Sequence, residues 1–333
     1  MNSPRSQEPY SQVLIAANPK SGASSNRGRV SELQQALTGT GLACHIHTSL
    51  EELRQAALQA DARGELKAIV AAGGDGTVGA LANLLPSHIP LLIFPLGTEN
   101  LLAKHLGIHG DIAQARQILL SQQRLMLDVG RANGKLFLVM LSCGFDAEVV
   151  RHMHALRTGH INRWSYARPI ITSLRGYRFP QLQYSLPAQA ASSMPVSPTT
   201  AGRSTSRSAP LAQANSAAWL FVFNVPRYAA ALNFCPQADP TDGLLDVCSF
   251  KRSGTWAGLG YLARLWLGSH QRMAGFEHRL CQRLEIAAPL DRHGEIMQVP
   301  FQIDGDPGGL LPLQIELLPQ RLTLLIPATG ARS

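Results

Sequence analysis

The order of the first hundred or so residues constrains the fold of this chain most: short apolar runs, each ending in a glycine-rich or polar turn, alternate with amphipathic segments. "QVLIAANP" reads as a buried strand, and "SNRGRVSELQQAL" as a helix with Leu33, Ala36 and Leu37 on one face. "LACHIHTS" and the helical "LEELRQAALQA" repeat the pattern. "KAIVAAG" then leads into a helix beginning near Thr77, and "IPLLIFPLGT" supplies a fourth strand. Alternation of this kind predicts a parallel α/β layer structure. The unbroken apolar character of "KAIVAAG" fits a strand covered on both faces.

Beyond Asp128 the pattern changes. "KLFLVMLSCG", "AAWLFVFNV", "LLDVCSF", "RLEIAAP", "VPFQIDG" and "LQIELLP" are short strand candidates separated by turn residues, so a mainly antiparallel second domain is expected. Helical stretches at 145–178 and 255–270 interrupt them. Residues 186–216 are rich in Ser, Pro, Ala and Thr without an apolar period, and read as a disordered insertion. A length of 333 residues favours two domains over one core. The expected division is an α/β nucleotide-binding domain over 12–130, completed by 316–328, and a β-rich domain over 131–315.

The five cysteines (Cys44, Cys143, Cys235, Cys248, Cys281) are scattered and never spaced CxxC, which argues against a disulfide framework or a zinc site and for a reducing cytoplasm. The histidines, His278 among them, show no ligand spacing and read as structural or surface groups. No apolar run approaches the length needed to span a bilayer, and "MNSPRSQEPYSQ" has no signal-peptide character. The net charge of +8 is uneven: no acidic residue lies between Glu148 and Asp239, a stretch that carries nine arginines. Within it, 151–178 mixes arginine with Trp164, Tyr166 and Tyr177, as a helix at an anionic membrane surface would. No nucleic-acid recognition motif accompanies the charge, so nucleic acid is not an expected partner.

Three loops fall at predicted strand ends: "NPKSG" (18–22), "GGDGT" (73–77) and "GTEN" (97–100). In an open parallel sheet these are the places where ligands bind, and glycine lets the backbone approach a phosphate. No Walker A pattern is present. Gly74, Gly76 and Gly79 satisfy GxGxxG, but a carboxylate at Asp75 would repel a pyrophosphate. Asp75 has two readings: a helix cap, or a carboxylate placed for a metal or a proton, as phosphoryl transfer requires.

The series "NPKSG", "GGDGTV", "PLGTENLLAKHL", "LDVG", "CGFDAEVV", "NVPRY", "DGLLDV" and "IDGDP" resembles the diacylglycerol kinase catalytic-domain family, which includes bacterial lipid kinases and sphingosine kinases and is related to NAD kinases. The likeness runs from about residue 12 to 328. It implies an α/β nucleotide domain and a β-rich domain with the active site in the cleft. It implies that Asn18, Ser21, Gly22, Thr48, Gly73, Gly74, Asp75, Gly76, Thr77, Gly97, Thr98 and Asn100 surround ATP, and that Asp75 serves the phosphates through Mg²⁺ or as a base. The family's C-terminal motif reads DGE, with the glutamate activating a lipid hydroxyl. Here it is "DGD", so the role falls to Asp306, one methylene shorter. The stretch "ADPTDGLLDV" resembles a structural Mg²⁺ site using Asp239, Asp242 and Leu244, although "TDG" is also a plain turn signal. The chain departs from the family at Gly79 and Ala80, where Asn-Glu is usual.

The expected function is an ATP- and Mg²⁺-dependent lipid kinase at the cytoplasmic membrane surface. A soluble kinase of a non-lipid alcohol such as NAD, and a nucleotide-binding regulator without catalysis, are the two alternatives.

Overall fold

The computed structural model describes residues 11–17, 24–155, 172–173, 177–186, 214–228 and 232–328. Its first part runs β1 (Gln12–Ala17), α1 (Ser24–Thr38), β2 (Ala43–His47), α2 (Leu50–Ala62), β3 (Leu66–Gly73), α3 (Asp75–Leu84), β4 (Leu91–Pro95), α4 (Leu101–His105) and α5 (Ile112–Ser121). The strands pair in the order β2-β1-β3-β4, all parallel. β3 is buried along nearly its whole length, the physical reason its sequence is apolar without alternation. Each helix turns one apolar stripe to the sheet; in α2 it is Leu53, Ala57 and Ala60, and Ser49 caps the helix by accepting the Glu52 N–H. All four parallel strands end at the same edge, which places Thr48, the loop 73–77 and the loop 97–100 side by side.

The second part begins with β5 (Arg124–Ala132), β6 (Lys135–Phe137), β7 (Met140–Gly144), α6 (Phe145–Ala155), β8 (Leu182–Ser185) and β9 (Ala214–Ala217). It continues through β10 (Trp219–Phe223), β11 (Arg227–Tyr228), β12 (Leu232–Asn233), β13 (Leu245–Phe250), α7 (Thr255–Trp266) and β14 (Phe276–Cys281). Last come β15 (Arg283–Ala287), β16 (Pro300–Ile303), β17 (Asp306–Leu310) and β18 (Leu313–Leu325). An antiparallel sheet forms in the order β14-β13-β10-β7-β16-β17. β18 is the splice: Leu324 pairs parallel with Leu91 of β4, while the strand runs antiparallel to β5 and β15. The two sheets face each other through Leu141, Cys143, Leu220, Val222, Leu245, Val247 and Ile303 on one side and Leu284, Ile286, Leu313 and Ile315 on the other. Alternate residues of β10 and β13 (Trp219, Phe221, Phe223, Phe250) build an aromatic cluster on the outer face.

Three local expectations change. The helix expected from Thr77 starts at Asp75. Of the helix expected over 145–178, Phe145–Ala155 and residues 172–173 are helical and residues 177–180 are not; the rest lie outside the described set. The insertion expected over 186–216 lies mostly outside the described residues, but Ala214–Ala217 pairs with β8, so cross-strand hydrogen bonds order its last residues.

Asp128 shows how the two parts lock. Only 3% exposed, it accepts the Gly243 N–H at 2.7 Å and the Gln320 N–H at 2.8 Å, joining β5 to β18 and to the turn before β13. Asp128→Ala leaves both donors unsatisfied, and we expect a loss of about 3 kcal/mol, measured as a lowered denaturation midpoint.

Candidate active site

The loops after β3 and β4 are in direct backbone contact. A Cβ on Gly97 would stand 2.7 Å from the Gly74 Cα and from Asn100 Oδ1, so Gly97 admits no side chain, whereas a Cβ on Gly74 would meet the Gly97 Cα at 3.4 Å, an ordinary contact. Asn100 holds the second loop closed from a left-handed conformation (φ 47°), accepting the Gly97 N–H at 3.1 Å and donating to the Gly97 carbonyl at 2.7 Å. Asp75 does not cap its own helix. Its carboxylate crosses to the next loop and accepts the N–H groups of Leu101 (2.7 Å) and Leu102 (3.2 Å), the first residues of α4. Burial raises the Asp75 carboxyl above its ordinary range, opposed by these two hydrogen bonds and by Lys104.

Other predicted ligand residues divide by exposure. Thr77 is buried with its hydroxyl against Gly73, where a Cβ would come within 2.1 Å of it. Thr48, Gly76 and Thr98 are exposed at the sheet edge. Asn18, Ser21 and Gly22 lie outside the described residues. Among the described residues, what the edge offers a phosphate is chiefly backbone: the N–H groups of Asp75 and Gly76 in the first turn of α3, since the Thr77 and Val78 N–H groups already donate to the Gly74 carbonyl.

An acidic turn from the second part meets this edge. β16 ends at Ile303, Asp304 (φ 49°) and Gly305 (φ 86°) reverse the chain, and Asp306 opens β17. Asp304 accepts three consecutive N–H groups, from Leu138 (2.8 Å), Val139 (2.9 Å) and Met140 (3.0 Å). Burial nonetheless pushes its carboxyl up to about 6; the three donors oppose this and the nearby Asp75 adds to it. Asp306 reaches the glycine loop: its Oδ2 lies 4.0 Å from where a Cβ on Gly76 would be. Beneath the turn, Gln302 accepts the Gly305 N–H at 2.8 Å and donates to Ser142 at 3.0 Å. The half-buried Asp146 accepts from Ser142, Tyr228 and Gln302, and desolvation raises its carboxyl too. Sequence reasoning assigned no role to Asp304, Asp146 or Gln302; the signals were the "IDGD" turn and the "CGFDAEVV" motif.

A model of the diacylglycerol kinase catalytic domain matches residues 12–132, and one of the YegS C-terminal NAD kinase beta sandwich-like domain matches residues 139–326. The chain belongs to the diacylglycerol kinase family. A diacylglycerol kinase of Mycobacterium tuberculosis is 26% identical over 328 residues, covering 91% of this chain and 96% of its own length. An uncharacterized protein of Synechocystis is 25% identical, and the chain spans 65% of its length. Among solved structures, a diacylglycerol kinase from Bacillus anthracis superposes with a TM-score of 0.63 at 18% identity, covering 98% of this chain and 100% of the other. An NAD kinase from Archaeoglobus fulgidus in complex with ATP gives 0.51 at 10% identity, over 97% and 95%. These two likenesses concern the fold.

In this diacylglycerol kinase family member the turn before β13 carries the predicted cation ligands. Asp239 accepts the Thr241 N–H (3.0 Å) and hydroxyl (2.6 Å), and Asp242 accepts the Leu244 N–H (2.9 Å). Burial raises the Asp242 carboxyl, and the carboxylates of Asp246, Asp239 and Asp128 raise it further. The donors are all oxygen, the chemistry a hard cation such as Mg²⁺ takes.

Asp304 supplies the pH test. Its carboxyl binds a proton more tightly folded than unfolded, rising from 3.8 to about 6, so its contribution to stability is full at low pH and is lost as pH rises from about 4 to about 6. The stability of the parent minus that of Asp304→Asn should fall across this window, measured by urea denaturation at several pH values.

Proposed function

We propose that this protein transfers the γ-phosphate of ATP, with Mg²⁺, to a hydroxyl of a lipid, diacylglycerol-like or sphingoid. The observation that carries the reading is the approach of Asp306 to Gly76 in the first turn of α3, which puts a carboxylate beside the N–H groups suited to a terminal phosphate. Asp306 would accept the proton of the attacking hydroxyl while those N–H groups hold the phosphate in line. The loop Gly97–Asn100, with Thr48, Asn18, Ser21 and Gly22, would complete the nucleotide site. Asp75, whose carboxylate oxygens each accept one N–H and keep a further lone pair, would serve the phosphates through Mg²⁺. Bound there, the ion neutralises charge on the phosphates. Asp239, Asp242 and the Leu244 carbonyl would hold a second, structural Mg²⁺.

The acceptor class draws support from α7. Trp256 (87% exposed), Leu259, Ala263 and Leu267 (72% exposed) recur at helical spacing along one exposed stripe. No acidic residue lies between Lys251 and Phe276, and Arg252, Arg264 and Arg272 are exposed. An apolar stripe flanked by cations fits an anionic bilayer at the cytoplasmic face. Most of the basic segment 151–178 lies outside the described residues, and Arg151 is paired with Glu148 at 2.7 Å. Among the described residues, no helix is long and apolar enough to cross a membrane.

Labelled γ-phosphate should pass from ATP into a lipid presented in mixed micelles with Mg²⁺. Asp306→Ala should slow transfer at least about a hundredfold and Asp306→Glu should restore part of the rate. Transfer to no lipid while NAD is phosphorylated would replace the reading with the soluble-acceptor one; undiminished transfer by Asp306→Ala would remove Asp306 from the chemistry.

Trp256→Ala combined with Leu267→Ala should weaken sedimentation with phosphatidylglycerol vesicles about tenfold or more while leaving binding of ATP unchanged. Equal sedimentation of parent and variant would remove α7 from the membrane contact.

A further inference from the structure

Side chains far apart in sequence close on one point beside β13 and β14. Asp246 and Cys248 stand two residues apart on one face of β13, His278 on β14 is the cross-strand partner of Cys248, and Cys235 comes from the segment after β12. Cys235 Sγ, an Asp246 oxygen and a His278 ring nitrogen all lie within 4.8 Å of one another. His278 Nε2 is 2.6 Å from Asp246 Oδ1, Cys235 Sγ is 3.6 Å from the same oxygen, and Cys248 Sγ is 3.7 Å from Cys235 Sγ. Asp246 is 1% exposed, and its other oxygen, Oδ2, is buried without a hydrogen-bond partner.

An unpartnered buried carboxylate oxygen is costly, and thiols are poor donors with which to satisfy it. A cation bound at Oδ1 offsets the buried carboxylate's charge, which Oδ2 shares, and takes the thiol as a thiolate. We propose that Cys235, Asp246 and His278 form a Zn²⁺ site, with Cys248 beside the fourth position. Tetrahedral zinc, with Zn–S of about 2.3 Å and Zn–O of about 2.1 Å, sets S···S at about 3.8 Å and S···O at about 3.6 Å. The observed separations of 3.7 and 3.6 Å already match. Of these three separations, the nitrogen–oxygen contact is the one that has to open, from 2.6 Å to about 3.4 Å. His278 can make that adjustment: it is 25% exposed and sits on β14, at the end of its sheet. A set of thiolate, imidazole and carboxylate selects zinc over Mg²⁺ or Ca²⁺, which take oxygen ligands. On binding, the ion replaces the thiol proton, which leaves to solvent. The consequence is mechanical: the metal pins the segment after β12, just ahead of the Asp239–Asp242 turn, to the β13–β14 pair. The site is separate from the candidate active site, and its test does not depend on kinase activity.

The test is metal content of the full chain purified without chelator, by elemental mass spectrometry, followed by removal of metal and titration with Co²⁺ read by absorbance. We expect one zinc per chain, a thiolate-to-cobalt charge-transfer band that excess zinc abolishes, and a drop in zinc content of at least about tenfold in Cys235→Ser and in His278→Gln. A parent chain that neither carries zinc nor develops the cobalt band overturns the site, whether or not the variants fold. A Cys235–Cys248 disulfide found by thiol counting in the freshly purified parent also overturns it, as does zinc retained in both variants.

Discussion

Gly74 and Gly97 meet backbone to backbone, and that contact sets the spacing of everything around the sheet edge. With the two loops this close, a short side chain on one can cap the helix that follows the other. Asp75 does so, bonding to Leu101 and Leu102 from 26 and 27 residues away. The carboxylate therefore stabilises the N-terminus of α4 while leaving the first turn of α3 open, and an open helix N-terminus is an anion site. A carboxylate that would repel phosphate if it projected into the loop is turned aside by the bonds that hold it.

The acidic turn extends the same logic across the two parts of the chain. Asp75 is close enough to raise the cost of ionising Asp304, and backbone donors oppose the burial of both carboxylates: three for Asp304 and two for Asp75. Asp304 is thereby committed to holding the β16–β17 turn against residues 138–140, which leaves Asp306 as the member of the pair that faces the glycine loop.

The parallel layer was legible because its strands are covered on both faces and must be apolar throughout, as in β3. β17, "DPGGL", carries no strand signal of its own; it is a strand because β16 offers it partners. β14, "FEHRLC", lies at a sheet end and is partly exposed, so its apolar pattern is too thin to read. Motif residues of the candidate site could be named from the loops at strand ends and from the family resemblance, but their local roles could not: Asn100 is spent closing its own loop, Thr77 is packed on Gly73, and the partners of Asp75 lie on another helix. The Cys235, Asp246 and His278 cluster has no ligand spacing at all, since pairing of β13 with β14 brings Asp246 and His278 together and the segment after β12 brings Cys235 onto them. Local sequence signals cannot report such tertiary meetings.

The same geometry bears on the aspartate that stands where the family has glutamate. Asp306 opens β17 opposite Ile303, so its backbone position is set by the turn that Asp304 anchors. From there its Oδ2 lies 4.0 Å from the position a Cβ on Gly76 would take, so the side chain faces the loop without a glutamate's further methylene. Under the kinase reading, the shorter side chain still reaches toward the glycine loop in this chain. What the substitution gives up is lateral range, so acceptor hydroxyls must come to the carboxylate within a narrower set of positions, and selectivity among acceptors is where its effect would appear.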